Sequence, residues 1–177
     1  MATLYTIGHS TRALDELIAA LQAHHIATLV DIRAFPASRR LPHFNRESLE
    51  LELPKHGIAY VWMKELGGRR KKSLDDSPNT GLRNDSFRNY ADYMLTPEFE
   101  AATARLLKLA ERGNTAIMCA ERMYFQCHRM LVSDYLAAHG HTVLHLDDDK
   151  RSPRPHKLMA EAHLVNGQLL YNAQELF

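Results

Sequence analysis

The sequence predicts an α/β fold: a single domain (1–177) with a mostly parallel sheet of about five strands, helices on both faces and a small C-terminal hairpin. Short apolar runs alternate along the chain with longer stretches in which apolar residues recur at helical spacing. This alternation is typical of a parallel sheet that is covered on both faces. A length of 177 residues suits one domain with a substantial core.

Up to residue 62 the predicted elements are, in order, strand, helix, strand, helix and strand: TLYTIG (3–8), ALDELIAALQAHH (13–25), TLVDIR (28–33), RESLELELPKHG (46–57) and IAYVW (58–62). The apolar residues of the first helix recur at helical spacing, and Ser10 or Thr11 is expected to cap it. The second strand is too short for a helix and ends in charged residues. After an irregular stretch with two prolines, Asn45 is expected to cap the second helix.

Beyond an irregular stretch over 64–85, the predicted elements are a helix over SFRNYADYML (86–95), a helix from Pro97 to Gly113, a strand over TAIMC (115–119), a helix from 127 to about Gly140, a strand over HTVLHL (141–146) and a hairpin in VNGQLLY (165–171). Asp85 or Ser86 is expected to cap the first of these helices, and Thr96 the second. Long irregular stretches in compact domains are usually functional or disordered.

The composition is that of a soluble globular protein, with 45% hydrophobic and 24% charged residues. No apolar run approaches the length of a membrane span, so no membrane partner is expected. The segment MATLYTIGHS lacks the basic start and apolar stretch of a signal peptide. Two cysteines do not make a disulfide framework, and a cytoplasmic, reducing location is therefore expected.

The charge is unevenly distributed although the net charge is only +1. Between Arg33 and Lys72 there are ten basic and four acidic residues, an excess of six positive charges. A concentrated positive surface favours polyanions such as phosphates or nucleic acid. The alternative is a solvated surface that is balanced elsewhere by the acidic run 147–149.

Polar and reactive residues follow four of the predicted strands: Gly8-His9-Ser10, Asp31-Ile32-Arg33, Lys64-Glu65-Leu66-Gly67-Gly68 and Cys119-Ala120-Glu121. The carboxyl ends of parallel strands lie along one edge of a sheet, and ligands bind beyond that edge. The four clusters are therefore expected to meet in one cleft.

The stretch CAERMYFQCHR (119–129) holds both cysteines of the chain. Cys127, His128 and Arg129 are predicted to form the first turn of a helix, where unpaired N–H groups and the Arg129 guanidinium would bind an anion. Cys119 is expected to border this pocket as a thiolate nucleophile, with Cys127 buried. The alternative is that Cys119 is a small buried apolar residue at a strand end.

Asp31 and Glu121 are candidate acid–base groups, and the alternative is that they hold Arg33 and Arg129 in place. Several side chains of metal-ligand type are also present: His9, His43, Cys119, Cys127 and His128. No paired spacing such as C-x-x-C accompanies them, so no metal and no other cofactor is predicted.

Five segments, taken in order, resemble one known family: TIGHST, LVDIRAFPASRRLPHFN, ELGGRR, NTGLRNDSFRNYADYM and CAERMYFQCHRMLVSDYL. The family is the bacterial and archaeal domain of unknown function numbered 488. The resemblance implies a family-like core over 6–145 and a C-terminal extension over 146–177. Leu82 stands where the family commonly has tryptophan, and Met123-Tyr124 stands where it commonly has proline-tryptophan.

The family's pattern falls, position by position, on the following residues: Gly8, His9, Ser10, Asp31, Arg33, Pro36, Arg39, Phe44, Asn45, Glu65, Leu66, Gly67, Gly68, Arg83, Cys119, Glu121, Cys127, His128 and Arg129. The resemblance implies a site that is shared across the family, and it implies no particular reaction.

The sequence favours an enzyme of undetermined reaction class that acts on an anionic substrate, either a phosphate-bearing small molecule such as a nucleotide or a nucleic acid. The expected catalytic residues are His9, Glu65, Cys119 and Glu121. The expected substrate-binding residues are Ser10, Arg33, Arg39, His43, Asn45, Arg69, Arg83, Cys127, His128 and Arg129.

Two other functions stay open at this point. A non-catalytic module would bind DNA or RNA phosphates through the segment 33–72, and its affinity would fall steeply with salt. A thiol redox or sulfur-transfer protein would need the two cysteines within reach of each other, which a separation of eight positions neither ensures nor forbids.

Overall fold

A six-stranded sheet runs through the centre of the computed structural model, which describes residues 1–172. In chain order the strands are β1 (Thr3–Gly8), β2 (Thr28–Asp31), β3 (Ala59–Trp62), β4 (Thr115–Cys119), β5 (Thr142–His145) and β6 (Arg154–Pro155). Their order across the sheet is β3-β2-β4-β1-β5-β6. The first five strands are mutually parallel, and β6 runs antiparallel to β5. The predicted α/β class is confirmed, with one more strand than expected.

Five helices connect the strands: α1 (Leu14–Ala23), α2 (Arg46–Glu52), α3 (Asp85–Tyr93), α4 (Pro97–Arg112) and α5 (Arg129–Ala138). Short 3₁₀ turns lie at Pro42–Phe44, Leu53–His56, Lys64–Leu66 and Tyr124–Gln126. Each predicted helix is present, with ends shifted by a few residues. Within the described residues, no helix is long and apolar enough to cross a membrane.

Two of the four helices with a predicted cap begin at the predicted N-cap residue, Asn45 for α2 and Thr96 for α4, but of these two only Thr96 caps through its side chain. Thr96 caps α4 as predicted, its hydroxyl accepting from the N–H of Phe99. Asn84 caps α3 in place of Asp85 or Ser86. At α1 neither Ser10 nor Thr11 acts as the cap, because the Glu16 carboxylate accepts the N–H of Ala13. The Asn45 side chain accepts from Ser38 N at 2.6 Å and leaves α2 without a side-chain cap.

Apolar side chains leave the sheet in alternation and build a core on each face. Ile117 lies in the core that includes Phe99 of α4 and Leu131 of α5, whereas the next residue, Met118, lies in the core that includes Leu17 of α1. This alternation is the two-residue period of a strand. Helices therefore cover both faces of the sheet, as predicted.

The C-terminal hairpin consists of β7 (Ala162–Val165) and β8 (Gln168–Tyr171), which pair antiparallel in a sheet of their own. Asn166 and Gly167, at its turn, both have positive φ, which is typical of a tight two-residue hairpin turn. The hairpin is joined to the loop before α3, since Tyr171 N donates to Asn79 Oδ1 at 2.9 Å and Gly81 N donates to Tyr171 O at 2.8 Å.

A chain of buried side chains connects this C-terminal part to β1. Tyr171 OH donates to Asp134 Oδ2 at 2.9 Å, and Asp134 Oδ1 lies 2.6 Å from His156 Nε2. His156 Nδ1 lies 2.8 Å from His145 Nε2, and His145 Nδ1 lies 2.6 Å from Thr6 Oγ1. We call these five side chains the histidine relay. They join α5, β1, β5, β8 and the segment after β6.

Candidate functional site

The parallel register brings the ends of β1, β2 and β4 side by side. Gly8 is level with Cys119, and Asp31 is level with Met118. Beyond the strands the main chains stay paired, with His9 N donating to Cys119 O at 3.0 Å and Ser10 N to Ala120 O at 2.9 Å. The clusters that follow these three strands therefore meet at one edge of the sheet.

This edge opens into two adjoining hollows of about 520 and 570 Å³, which together we call the edge cleft. Both hollows are lined by Arg33, Phe35, Ala120, Glu121 and Gln126. The smaller hollow is also lined by Ala34, Gly68, Arg69, Ser86, Phe87, Cys119, Cys127 and His128. The larger one is also lined by His9, Ser10, Thr11, Ala37, Ser38, Leu41 and Arg122. Volumes of this size are typical of small-molecule sites.

Gly8 allows the loop after β4 to lie directly against the end of β1. A Cβ atom at this position would stand 1.7 Å from the carbonyl oxygen of Glu121. The neighbouring Ser10 has a φ of 52°, which is uncommon for a residue with a side chain and is often found at functional sites. The wall of the edge cleft therefore depends on a close main-chain contact that only glycine permits.

Arg33 is held rigidly in this wall by Asp31. Its Nε donates to Asp31 Oδ1 at 2.9 Å and its NH2 to Asp31 Oδ2 at 2.6 Å, while Phe44 O accepts a further bond from NH2 at 2.7 Å. Burial alone would lower the pKa of Arg33, but the hydrogen bonds and charge of Asp31 raise it overall. Asp31, also bonded by Tyr60 OH, therefore holds Arg33 in place, which was one of its two expected roles.

His9 is buried against Phe44, with ring centroids 4.4 Å apart. Burial is the main cause that lowers the pKa of His9 to about 4, so the imidazole is neutral at pH 7. Its Nδ1 lies 2.8 Å from the carbonyl oxygen of Ser10 and must carry the proton, since a carbonyl cannot donate. Its Nε2 then accepts from Arg33 NH1 at 3.3 Å. Both nitrogens are engaged, which suits a residue that positions Arg33.

The two cysteine sulfurs are in contact. Cys119 Sγ lies 2.7 Å from Cys127 Sγ, and either sulfur can donate the proton between them. Cys127 Sγ also accepts from Arg129 N at the start of α5, at 3.4 Å. The carbonyl oxygen of Glu121 lies 3.6 Å from Cys119 Sγ and is a second acceptor within reach of its single proton. Two thiols eight positions apart in the sequence thus form one pair in the wall of the smaller hollow.

Their surroundings make Cys127 the thiol that ionises first. The hydrogen bond from Cys119 lowers the pKa of Cys127, with support from the charge and N–H of Arg129. Burial raises the pKa of Cys119, which is 1% exposed, whereas Cys127 is partly accessible. Both cysteines line the smaller hollow, so Cys119 borders the pocket as expected, but it is the more buried of the two, and Cys127 is not fully buried, contrary to the expectation. The reason is that Cys119 closes β4 and belongs to the core.

Arg129 holds the loop and does not reach into the edge cleft. It is 1% exposed, and its NH2 donates to the carbonyl oxygens of Glu121 at 3.0 Å and Arg122 at 2.9 Å. The first N–H of α5 is directed to the sulfur of Cys127. The expected anion site at this helix start is therefore already occupied by groups of the protein itself.

Glu121 presents an exposed carboxylate to both hollows. Among residues 1–172, no hydrogen bond or ion pair involves its side-chain oxygens, and only its main-chain carbonyl is engaged. Glu121 does not hold Arg129 through its carboxylate, contrary to one of its two expected roles. It is the carboxylate in the cleft that is available to a ligand.

Some predicted site residues lie outside the edge cleft. The Glu65 carboxylate pairs with Arg105 at 3.7 Å instead of facing Glu121. Arg39 and Arg83 are exposed and line neither hollow. His43 Nε2 is hydrogen-bonded to the carbonyl oxygen of Arg12 at 2.9 Å, and Asn45 Oδ1 accepts from the main-chain N–H of Ser38. None of these side chains lines either hollow, although Asn45 is bonded to Ser38 of the larger hollow and so supports its wall.

His128 lies in the smaller hollow but has a supporting position. Its Nε2 lies 2.8 Å from the carbonyl oxygen of Ile32, and burial lowers its pKa to about 4. A Cβ atom on Gly68 would stand 2.4 Å from its Nδ1. His128 therefore joins the end of β2 to the Gly67-Gly68 turn, and the glycine makes room for the ring.

Phe35 is a functional candidate that the sequence analysis missed. Its ring is 68% exposed, lines both hollows and lies under the guanidinium of Arg69, 5.3 Å from the ring centroid. Gln126 lines both hollows as well. An aromatic residue in an irregular loop directly after a strand end, between arginines, was the available signal for Phe35.

No metal centre is formed by the ligand-type side chains of this edge. Within the part of the chain that the structure describes, no three histidine, cysteine or acidic side chains converge so as to hold a metal ion. Cys119, Cys127 and His128 all line the smaller hollow, but His128 Nε2 is bonded to the carbonyl oxygen of Ile32.

A comparison with family models gives one match, to the family described as Domain of unknown function DUF488, over residues 13–136. The match covers more than half of the chain, and the protein belongs to this family. It confirms the family that the sequence motifs resemble. No curated protein and no solved structure matched the chain.

Proposed function

We propose that the protein is an enzyme that acts on a phosphate-bearing substrate with an aromatic base, either a nucleotide or the end of a nucleic-acid strand, in the edge cleft. The observation that carries the proposal is the exposed ring of Phe35 beneath Arg69 in the wall that both hollows share. Exposed aromatic rings beside arginines are the usual platform on which bases stack without regard to sequence.

The charge around this platform supports an anionic substrate. Lys64, Arg69 and Arg70 line a further hollow of about 290 Å³ that shares Phe35 with the edge cleft. Arg39 and Arg40 are exposed on the preceding loop. A base on Phe35 would have its phosphate within a field of positive charge, which raises the local concentration of anions.

Glu121 is the proposed proton-transfer group. Its carboxylate is exposed in the shared wall, whereas both ring nitrogens of His9 are engaged. A carboxylate beside bound phosphate can accept a proton from a water molecule or hydroxyl group that attacks the substrate. His9 and Asp31 act through Arg33 as positioning residues.

Binding is tested with a fluorescent single-stranded oligonucleotide and with nucleoside monophosphates at low salt. Phe35→Ala should weaken binding by about 1–3 kcal/mol, the usual effect of losing one stacked base. Phe125→Ala is the matched control, since Phe125 is 48% exposed and lines neither hollow of the edge cleft. Absence of binding by the wild type to both kinds of ligand would refute the proposal.

The role of charge is tested by the salt dependence of the same binding. Arg69→Gln should weaken binding and reduce the slope of log affinity against log salt by about one. Arg112→Gln is the control, because Arg112 is exposed at the end of α4, before β4 begins and away from the carboxyl edge. Equal slopes for the two variants would contradict a phosphate contact at Arg69.

Turnover distinguishes the enzyme from the non-catalytic binding module. Glu121→Gln should keep the binding affinity and lose product formation, followed by chromatography of nucleotide and oligonucleotide substrates. Binding without turnover in the wild type, unchanged by Glu121→Gln, would favour the binding module instead.

A further inference from the structure

We propose that Cys119 and Cys127 form a thiol–disulfide exchange pair that reduces a small carboxylate-bearing disulfide in the smaller hollow of the edge cleft. Cys127 attacks the substrate, and Cys119 resolves the intermediate. This activity goes beyond the proposed function, because it needs no phosphate-bearing ligand and leaves Glu121 and Phe35 without a chemical role.

The first argument is the contact between the sulfurs. Cys119 Sγ and Cys127 Sγ are 2.7 Å apart, and both residues line a hollow of about 520 Å³. They are the only two cysteines of the chain. The β4 strand end fixes one sulfur and the start of α5 fixes the other. The pair is therefore brought together by the fold and not by a short sequence motif.

The second argument is the asymmetry between the two thiols. Exchange requires a thiolate that the substrate can reach and a second thiol close behind it. Cys127 is partly accessible and accepts the N–H of Arg129, whereas Cys119 is buried against Cys127 and the carbonyl oxygen of Glu121. The pKa of Cys127 is lowered by its hydrogen bond from Cys119, and burial raises that of Cys119.

The reaction balances without any further reagent. The Cys127 thiolate attacks one sulfur of the substrate, so that a mixed disulfide forms and one substrate half leaves as a thiolate. That thiolate takes the proton of Cys119. The Cys119 sulfur then attacks Cys127 Sγ and releases the second half, which is protonated by solvent to replace the proton that Cys127 had lost. The pair is oxidised to a disulfide, and the substrate disulfide is reduced to two thiols.

The hollow also indicates the charge of the substrate. Arg69 and Glu121 are exposed in its wall, and Arg33 lines it with its own charge largely balanced by Asp31. Lys64 and Arg70 line the adjoining hollow that Arg69 shares, so three cations outnumber the single Glu121 carboxylate on this side of the cleft. Arg69 is thus the cation best able to attract carboxylates. A disulfide whose halves carry carboxylates fits this charge better than one whose halves carry ammonium groups.

The test incubates the reduced protein with glutathione disulfide and follows intact mass and thiol content. The wild type should lose both thiols and about 2 Da without a lasting adduct. Cys119→Ser should instead accumulate one glutathione adduct. Cys127→Ser should form neither a glutathione adduct nor an internal disulfide. A wild type that stops at the mixed disulfide, or a Cys127→Ser variant that reacts as fast as Cys119→Ser, would overturn the proposal.

Two controls keep the result interpretable. Cys119→Ala replaces the serine variant if thermal unfolding shows that a hydroxyl is not tolerated in the core. The same exchange measured on the chain unfolded in urea gives the rate of cysteines without a fold. The folded protein should react at least about tenfold faster than the unfolded chain, because a cysteine with a lowered pKa is present as the reactive thiolate in a larger fraction of molecules. A slower folded protein would identify two inert core cysteines and overturn the proposal.

The substrate class is tested by comparing glutathione disulfide with cystamine, whose charge is opposite. The wild type should react faster with glutathione disulfide than with cystamine. Arg69→Glu should reduce the ratio of the glutathione disulfide rate to the cystamine rate at least about fivefold. Arg112→Glu is the matched control and should leave the ratio unchanged. Equal rates with the two disulfides in the wild type would overturn the carboxylate-bearing substrate. None of these measurements involves nucleotides, so their failure is distinct from failure of the proposed function.

Discussion

The side chains of Arg33 and Asp31 form a buried ion pair on which the shape of the edge cleft depends. Arg33 is 7% exposed and Asp31 is fully buried. Tyr60 OH and Phe44 O complete the hydrogen bonds around them. A buried pair of this kind adds little net stability compared with apolar residues, but removal of one partner leaves an uncompensated charge.

Asp31→Asn should therefore destabilise the protein by about 3–5 kcal/mol, measured as the free energy of unfolding in urea. The asparagine has one side-chain oxygen, so it can accept from only one side of the Arg33 guanidinium, and it cannot balance the positive charge. Glu50→Gln is the matched control, since it breaks an exposed ion pair with Arg46 and should cause no measurable loss. A similar effect of both substitutions would contradict the buried-pair argument.

At the scale of elements, the histidine relay connects the C-terminal hairpin to the parallel sheet. His156 Nε2 donates to Asp134 Oδ1, and His156 Nδ1 then accepts from His145 Nε2. His145 Nδ1 in turn accepts from the hydroxyl of Thr6. Each of these bonds then has one donor and one acceptor. The Tyr124 ring, from the loop between the two cysteines, stacks on His145 at 3.8 Å.

Tyr171→Phe should cost about 1.5–3 kcal/mol of unfolding free energy, because it removes one hydroxyl and leaves the buried Asp134 Oδ2 without its donor. It should also make the hairpin more sensitive to limited proteolysis. Tyr135→Phe is the control, since within the described residues its hydroxyl makes no hydrogen bond. Unchanged stability and unchanged cleavage for Tyr171→Phe would show that the relay does not hold the hairpin.

At the scale of the whole molecule, three buried neutral histidines should make the fold sensitive to mild acid. Burial lowers the pKa of His9 and His128 to about 4 and that of His145 to about 3, from 6.5. As the pH falls below 6.5 the unfolded chain takes up these protons and the folded chain does not. Stability is therefore full above about pH 6.5 and is lost progressively as the pH falls towards 4.

Each such histidine should contribute a slope of about 1.4 kcal/mol per pH unit in this window. Urea unfolding at about pH 7, 6 and 5 measures the slope. His145→Asn should remove about one third of the slope that the three buried histidines give together. His25→Asn, at an exposed position, should leave the slope unchanged. A free energy of unfolding that stays flat over this range would mean that the histidines are protonated in the folded protein.

Much of the fold was predictable from the sequence, because the spacing of apolar residues along the chain indicates which side chains are buried in each helix or strand. The five parallel strands, the five helices and the Asn166-Gly167 hairpin all follow from local patterns. β6 was missed because two residues with a proline carry no pattern. The predicted cap of α1 was wrong, and the Asn45 side chain does not cap α2 because tertiary hydrogen bonds decide how a side chain is used, as its bond with Ser38 shows.

The site was predictable only as a meeting of strand ends. Parallel register is a general rule, and it brought His9, Arg33, Cys119 and Glu121 together. Side-chain direction is not contained in that rule. Glu65 turns to Arg105 and Arg129 turns to the carbonyl oxygens of the loop, which no spacing in the sequence indicates. The contact between the two sulfurs depends in the same way on tertiary geometry.

The close approach at Gly8 has a consequence for how the chemistry of this site can vary. Main-chain atoms of residues 119–122 are fixed by His9 N, Ser10 N and the guanidinium of Arg129, and none of these bonds uses the Glu121 side chain. The shape of the loop is thus independent of the group that it displays. We therefore expect a substitution of the Glu121 side chain to change the chemistry of the cleft without moving the loop, whereas a side chain at Gly8 would displace the loop itself.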